Sequence, residues 1–398
     1  MRILLMATYP WVVPRHGGQH RMYNIQRMLI GAGHDVQSVG VLGSPHYDKT
    51  EGFIRYPGDS VLAQVLNEPA IMEDWAIGKL LADNVEYFYS LFSTVLAPPD
   101  AILIGHPWLF ECAQKFANQC EVKPNLFYDA HNIESSLKYG IVRPRLGEET
   151  ARDYEAKVLK TEIAAIQGAD LISCVSSKDK AWLTKYASSP VVEARNGVAD
   201  RTASLKSIQA SNSITGACKF ALYCGSAHPP NIDGFFEIFG EGVGSFAPGQ
   251  KLVVAGGAGF HIRNSPRFEK TAGLNSIYID AGEVDEDSLS GLLKTAHAVI
   301  LPITHGGGTN LKTAEAIWAS KHIVATPTAL RGFENFTTMN GIHIADEGPT
   351  FRKALRDVMG FPALHTDAIE KNGRQSVLWD NTLVDLVQMI GTFGKKES

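Results

Sequence analysis

Short apolar runs along the chain alternate with longer stretches in which apolar residues recur at helical spacing, with Gly-containing turns between them. This is the alternation of βα units around parallel sheets. In the first half the runs cover residues 2–7, 34–41, 101–105, 125–128, 170–175 and 191–194. In the second half they cover 220–224, 251–255, 276–279, 298–301, 322–325 and 341–344. Each set predicts one doubly wound parallel sheet, so the fold class is α/β with two Rossmann-like domains. The spacing predicts helices over 61–92, inserted into the first sheet's topology, over 150–167, and over 374–393. A Ser-, Thr- and Ala-rich stretch at 200–216 lacks periodicity, which puts the boundary just before it, at Asn196-Gly197. The expected domains are 1–195 and 196–374, with a C-terminal helix of about 375–398 returning to the first. Ligands of such sheets bind at the carboxyl ends of the strands, here in a cleft expected between the two domains.

Composition narrows the partners. Of 398 residues, 44% are hydrophobic and 20% charged, enough for each half to bury a core and too apolar for general disorder. Lys and Arg number 37 against 42 Asp and Glu, so the basic excess of a nucleic-acid binder is missing. No apolar run reaches the roughly 18 residues of a membrane helix, and the first residues read as a strand rather than a signal peptide. The five cysteines (Cys112, Cys120, Cys174, Cys218 and Cys224) include no CxxC pair. That argues against a disulfide framework or zinc site and for a reducing, cytoplasmic setting.

Four segments carry candidate chemistry. After the first strand come Pro14, Arg15, His16, Gly17 and Gly18, then a helix. Backbone N–H groups at such a helix start suit a phosphate or a hydroxyl, although an ordinary tight turn has the same spacing. Asp129, His131, Asn132 and Glu134 crowd onto the end of one strand. A lone His is more often structural than functional, but four polar groups at a sheet edge favour a site. Gly225 and Ser226 follow the first strand of the second half, with a helix start expected at Asn231, which simple capping would also explain. The richest segment is Gly306, Gly307, Gly308, Thr309, Asn310, Leu311, Lys312 and, three residues on, Glu315. Three glycines before a helix let a ligand touch backbone amides. Lys312 can neutralise a phosphate and Glu315 can accept both hydroxyls of a ribose. Lys312 and Glu315 share a helix face, so a surface ion pair is the plainer alternative.

Together these segments resemble the retaining GT-B glycosyltransferases of family 4, in the version with a Gly-rich GGGTNLKxxEA segment. The likeness is carried by Gly17-Gly18, Gly33-His34, Asp129 to Glu134, Asn196-Gly197-Val198, Gly225-Ser226, and Gly306 through Ala316. It implies a GT-B fold and transfer of a sugar, with retention, from a nucleotide-diphosphate donor to a glycan, lipid-linked or other acceptor. It implies donor contacts from Gly17, Gly18, Gly225, Ser226, Gly307, Gly308, Thr309, Asn310, Leu311, Lys312 and Glu315. His131 and Lys312 are the implied catalytic residues. Arg21, Asp129, Asn132 and Glu134 are the implied acceptor or sugar contacts. No metal or other cofactor is expected, and a lipid-linked acceptor would place the protein at the inner face of the membrane. Two positions depart from the pattern: Gly307 stands where the first Glu of the family's E-x7-E would fall, and Ser226 where an Arg is usual. A sugar-nucleotide-binding subunit without turnover and a GT-B epimerase are the alternatives. An NAD oxidoreductase lacks its GxGxxG and downstream acid.

Overall fold

The computed structural model describes residues 1–43, 47–55, 70–305 and 309–394. The chain forms two compact units, one of Met1–Arg195 with Thr382–Ser398, the other of Asn196–Asn381.

The first unit is a seven-stranded, all-parallel sheet. Its strands are β1 (Arg2–Ala7), β2 (Asp35–Leu42), β3 (Phe53–Arg55), β4 (Ala101–Gly105), β5 (Asn125–Ala130), β6 (Leu171–Cys174) and β7 (Val191–Glu193). They lie in the order β3-β2-β1-β4-β5-β6-β7, so the winding reverses between β1 and β4. The helices used below are α1 (Gly17–Gly31), α2 (Glu73–Asp83), α3 (Val85–Phe92), α4 (Phe110–Ala117), α5 (Glu134–Leu146) and α6 (Glu148–Gly168). β1, β4 and β5 are buried along nearly their whole length, as strands in the middle of a parallel sheet are, and all but Asn125 and Asp129 of β5 and Arg2 of β1 are non-polar or aromatic. The edge strand β3 was not expected from the pattern, being too short to show a period. Within the expected 61–92 helix, residues 61–69 lie outside the described residues. The rest breaks into a 3₁₀ turn at Ala70–Met72, then α2 and α3, where Asn84 caps α3 by accepting from the Tyr87 N–H. Phe88 and Phe92 point into the core, leaving Tyr89 and Val85 exposed.

The second unit has six parallel strands in the order β10-β9-β8-β11-β12-β13, the arrangement of a dinucleotide-binding sheet. They are β8 (Phe220–Cys224), β9 (Lys251–Ala255), β10 (Tyr278–Gly282), β11 (Ala298–Leu301), β12 (His322–Ala325) and β13 (Ile342–Ile344). The strand expected at 276–279 begins later, because Ser276 and Ile277 close a short helix, Leu274–Ile277. The helices that matter here are α7 (Pro229–Phe239) and α8 (Leu311–Trp318). α7 starts at Pro229 rather than Asn231, since the two prolines supply the pre-set φ of a first turn.

The expected helix at 374–393 is also interrupted. Val198 pairs with Leu378, its N–H donating to Val377 O at 2.9 Å while Trp379 N donates back at 3.0 Å. Only Val384–Phe393 forms a full helix; it joins the first unit, where Phe393 meets Phe127 edge-on at 5.0 Å.

Candidate functional site

The polar groups of the first unit collect where its winding reverses, at the carboxyl ends of β1, β4 and β5. Asp129, the penultimate residue of β5, is fully buried and matched on every side. Arg21 of α1 meets it with two parallel bonds, Nε to Oδ2 at 2.8 Å and Nη2 to Oδ1 at 2.6 Å. Ser173 of β6 donates to Oδ1 at 2.5 Å, and Arg21 Nη1 donates to Ala194 O at 2.7 Å. Burial alone would raise the Asp129 carboxyl, but Arg21 and His131 hold it well below the usual carboxylate range. Arg21 and Asp129 therefore spend their donors and acceptors on the protein. Both were expected from the sequence as acceptor or sugar contacts; in the structure they tie α1, β5, β6 and the residue after β7 together.

Beside this pair runs a chain of hydrogen bonds. Glu134 Oε1 lies 2.8 Å from His106 Nδ1; His106 Nε2 lies 3.0 Å from Tyr9 Oη; Tyr9 Oη lies 3.4 Å from His131 Nδ1. His131 Nε2 is 2.9 Å from Asp129 Oδ2, a contact too bent for a proper hydrogen bond. His131 is 6% exposed, and its two ring nitrogens face Tyr9 and Asp129. The half-buried members are Tyr9, His106 and Asn132; His16, more exposed, meets Tyr9 edge-on at 4.9 Å. Gly18 makes room for them: a Cβ at that position would stand 2.3 Å from Tyr9 Oη. Asn132 donates to Glu134 Oε1 at 3.1 Å.

Two further anchors fix this chain. His106 follows β4 with φ of 64°, a left-handed conformation uncommon for a residue with a Cβ, and its N–H donates to Asp129 O at 3.1 Å. Glu162 of α6 caps α5 from outside, accepting from the Glu134 N–H at 2.7 Å, the Ser135 N–H at 3.3 Å and Ser135 Oγ at 2.7 Å. Burial pushes the Glu162 carboxyl up to about 7 against those bonds. Burial and His106 push His131 down to about 4, so it is neutral at physiological pH. His106 moves the other way: burial opposes its charge, but Glu134 raises it above the ordinary imidazole value.

Tyr9, His106, Ser173 and Glu162 were not singled out from the sequence. His106 directly follows an apolar run, as His131 does, and that position was its available signal. Glu162 reads as one more polar residue on the outer stripe of an amphipathic helix and carries no signal at all.

The second unit's candidate groups lie after β8 and β11. Gly307 and Gly308 lie outside the described residues. Asn310 caps α8, its side chain accepting from the Lys312 N–H at 3.1 Å. Thr313 Oγ1 donates to Ala329 O at 2.6 Å, holding the first turn in place. Lys312 does not pair with Glu315; its Nζ donates to Asn231 Oδ1 at 3.1 Å. Asn231 in turn donates to Ser226 O and Oγ, at 3.0 and 3.1 Å, so it joins the β8 loop to α8 instead of starting a helix. Gly225 fits because a Cβ there would meet Ala258 Cβ at 2.7 Å. Leu311 opens α8, half-buried, and Thr309 Oγ1 is buried with no partner among the described residues. Burial pulls Lys312 down to about 8 and raises Glu315 to about 7, with each charge partly easing the other. The Glu315 side chain makes no hydrogen bond or ion pair among the described residues.

No protein-family model matches the chain, and no curated protein matches it in sequence. Solved structures do. Sucrose-phosphate synthase from Thermosynechococcus elongatus is similar with a TM-score of 0.72 and 13% identity, covering 100% of both chains. WaaG, a glycosyltransferase involved in lipopolysaccharide biosynthesis, gives 0.62 at 14% identity over 99% of this chain and 100% of its own. HepE from Anabaena, solved in complex with UDP, gives 0.60 at 10% identity over 98% and 100%. At such identities the likeness is one of fold, and the fold is GT-B. Among the described residues no helix is long and apolar enough to cross a membrane.

Proposed function

We propose that the chain is a retaining glycosyltransferase of the family 4 type. It takes a sugar from a nucleoside-diphosphate donor held by the second unit and passes it to a hydroxyl of a glycan or lipid-linked acceptor held by the first. The observation that carries the reading is the start of α8. A desolvated Lys312 and an unpartnered Glu315 lie one turn apart without pairing, beside Thr309 with its unmet hydroxyl. Opposite charges kept apart at a cost in solvation are suited to a ligand with both an anion and hydroxyls, as a nucleoside diphosphate has. The UDP bound by HepE, a protein of this fold, fits that chemistry.

In the reaction the bond between the anomeric carbon and the diphosphate oxygen breaks, and the acceptor oxygen takes the carbon on the same face. The hydroxyl proton passes to the departing phosphate. Lys312 and the amides of the Gly-rich helix start meet the negative charge that grows on the diphosphate, where a preorganised donor does most for the rate. Gly17, Gly18 and Asn132 are the first unit's ligand contacts, and no residue is assigned to a metal.

Thermal shifts with UDP-, GDP-, dTDP- and CDP-sugars, followed by transfer assays, test the reading. Stabilisation by one nucleotide class and release of its sugar to an added acceptor, with the anomeric configuration retained, are the expected results. No shift with any of them overturns it, and binding with no donor turnover identifies a non-catalytic subunit.

A further inference from the structure

Tyr9 holds a place in the first unit that the transfer reaction above leaves unused: its hydroxyl lies between two imidazoles of opposite character. One hydroxyl carries one proton and cannot donate to both rings at once. The surrounding groups decide which ring receives it. Asp129 is an anion bound twice by Arg21, and its Oδ2 stands 2.9 Å from His131 Nε2. An unprotonated Nε2 would stand 2.9 Å from a carboxylate oxygen, a repulsion that a proton removes even in a bent contact, so Nε2 carries the proton of a neutral ring and Nδ1 is left as an acceptor toward Tyr9. Tyr9 then donates to His131 and must accept from the other side, which requires a proton on His106 Nε2. His106 Nδ1 also needs a proton, because Glu134 Oε1 lies 2.8 Å away. Every hydrogen bond in the chain is satisfied only when His106 is an imidazolium.

The local charges favour that state. From α5, Glu134 faces His106 directly and Lys138 stands behind it. From α2 comes Asp74, from β5 Asp129 and His131, from α1 Arg21, and from the loop before it His16. The carboxylates outweigh the cations around this ring, and its affinity for a proton is raised. When His106 loses its Nε2 proton, the same nitrogen becomes an acceptor and the nearer of the two, at 3.0 against 3.4 Å.

We propose that Tyr9 is a positioning residue whose hydroxyl proton points to His131 while His106 is charged and turns to His106 when that ring is neutral, so that the charge on His106 sets the hydrogen bonding of His131. The link is local to the first unit, and its consequence for sugar transfer rests on the function proposed above.

The test is a pH titration of the imidazole nitrogens by NMR on the full-length, ¹⁵N-histidine-labelled protein, with no substrate, for wild type, Tyr9→Phe and His106→Gln. Wild type is expected to show His106 protonated on both nitrogens near neutral pH. His131 should stay neutral with its proton on Nε2, and its Nδ1 signal should shift at the pH where His106 titrates. Tyr9→Phe should remove the Nδ1 shift while His106 still titrates, and His106→Gln should leave Nδ1 flat with pH. A His106 that is neutral at pH 7, or a His131 that responds equally in Tyr9→Phe, overturns the proposal. His106→Gln decides the matter if Tyr9→Phe does not fold. With transfer assayed in parallel, Tyr9→Phe should lower kcat roughly tenfold, the scale of one hydrogen bond. It should also lose the kcat inflection at the His106 titration, with the donor KM unchanged. Absence of transfer in wild type refutes the glycosyltransferase reading and leaves the NMR result standing.

Discussion

The polar cluster of the first unit and the helix start of the second differ in how far their own chain meets their charges. Around Asp129 the account closes within the protein: a bidentate Arg21, a Ser173 hydroxyl and a neutral His131 surround one carboxylate. At α8, the Lys312 ammonium has one amide oxygen for company and the Glu315 carboxylate has no bonded partner among the described residues. A closed network gives up its ligand-binding capacity and gains a fixed geometry, since removing any member strands a buried group. An open one bears a solvation cost until a ligand arrives. The first unit's cluster is held rigid by its own chain, and under the proposed function the second unit's open charges are the ones that take the donor.

Charge removal at the two places should therefore have opposite effects on stability. Arg21→Met strands Asp129 and is expected to lower the unfolding free energy of the first unit by about 3–5 kcal/mol in urea melts. A loss under about 1 kcal/mol would show that the network is slacker than its distances imply. Lys312→Met is expected to leave the melting temperature unchanged or raised, since a desolvated cation disappears. Transfer should fall roughly 10²–10³-fold, the scale of one transition-state donor. Loss of melting temperature together with normal turnover per folded molecule would put Lys312 in the same structural class as Arg21.

Glu315→Gln should weaken nucleoside-diphosphate binding roughly tenfold by calorimetry, with little change in melting, because an amide offers one acceptor where the carboxylate offers two. The pH dependence sharpens this. Glu315, raised to about 7, must ionise to accept ribose hydroxyls, so affinity falls as pH drops below that value. Lys312, lowered to about 8, must stay charged, so affinity falls again above it. Binding should peak between the two, the acidic limb vanishing in Glu315→Gln and the alkaline limb in Lys312→Met. The smallest effect is expected from Thr313→Val, which removes the bond to Ala329 O: about 1 kcal/mol of stability, with nucleotide affinity nearly intact.

The two sites were unequally legible. Asn310, Lys312 and Glu315 are neighbours in sequence, and a Gly-rich turn leading into a helix brings them together whatever surrounds them. Their separation from each other was not legible, because it depends on Asn231, 81 positions away, drawing off the lysine. In the first unit the pattern singled out Arg21, Asp129, His131 and Glu134 but gave no sign that Arg21 and Asp129 bind each other across 108 residues. Tyr9 meets His106 and His131 across 97 and 122 residues, and Glu162 reaches Glu134 across 28. None of these pairings leaves a mark on local periodicity.

The alternation of apolar runs with amphipathic stretches determined the α/β class, the position of nearly every strand and the turns where polar groups gather, because burial and backbone pairing act over a few residues at a time. The strand order was decided by tertiary structure. It sets β1 beside β4 and β4 beside β5, and so brings Tyr9, His106 and His131 to one place. Whether a carboxylate is closed off by an arginine or left open for a ligand depends on which side chains share a buried volume. That is fixed by the packing of distant segments, and desolvation then gives each group its charge state.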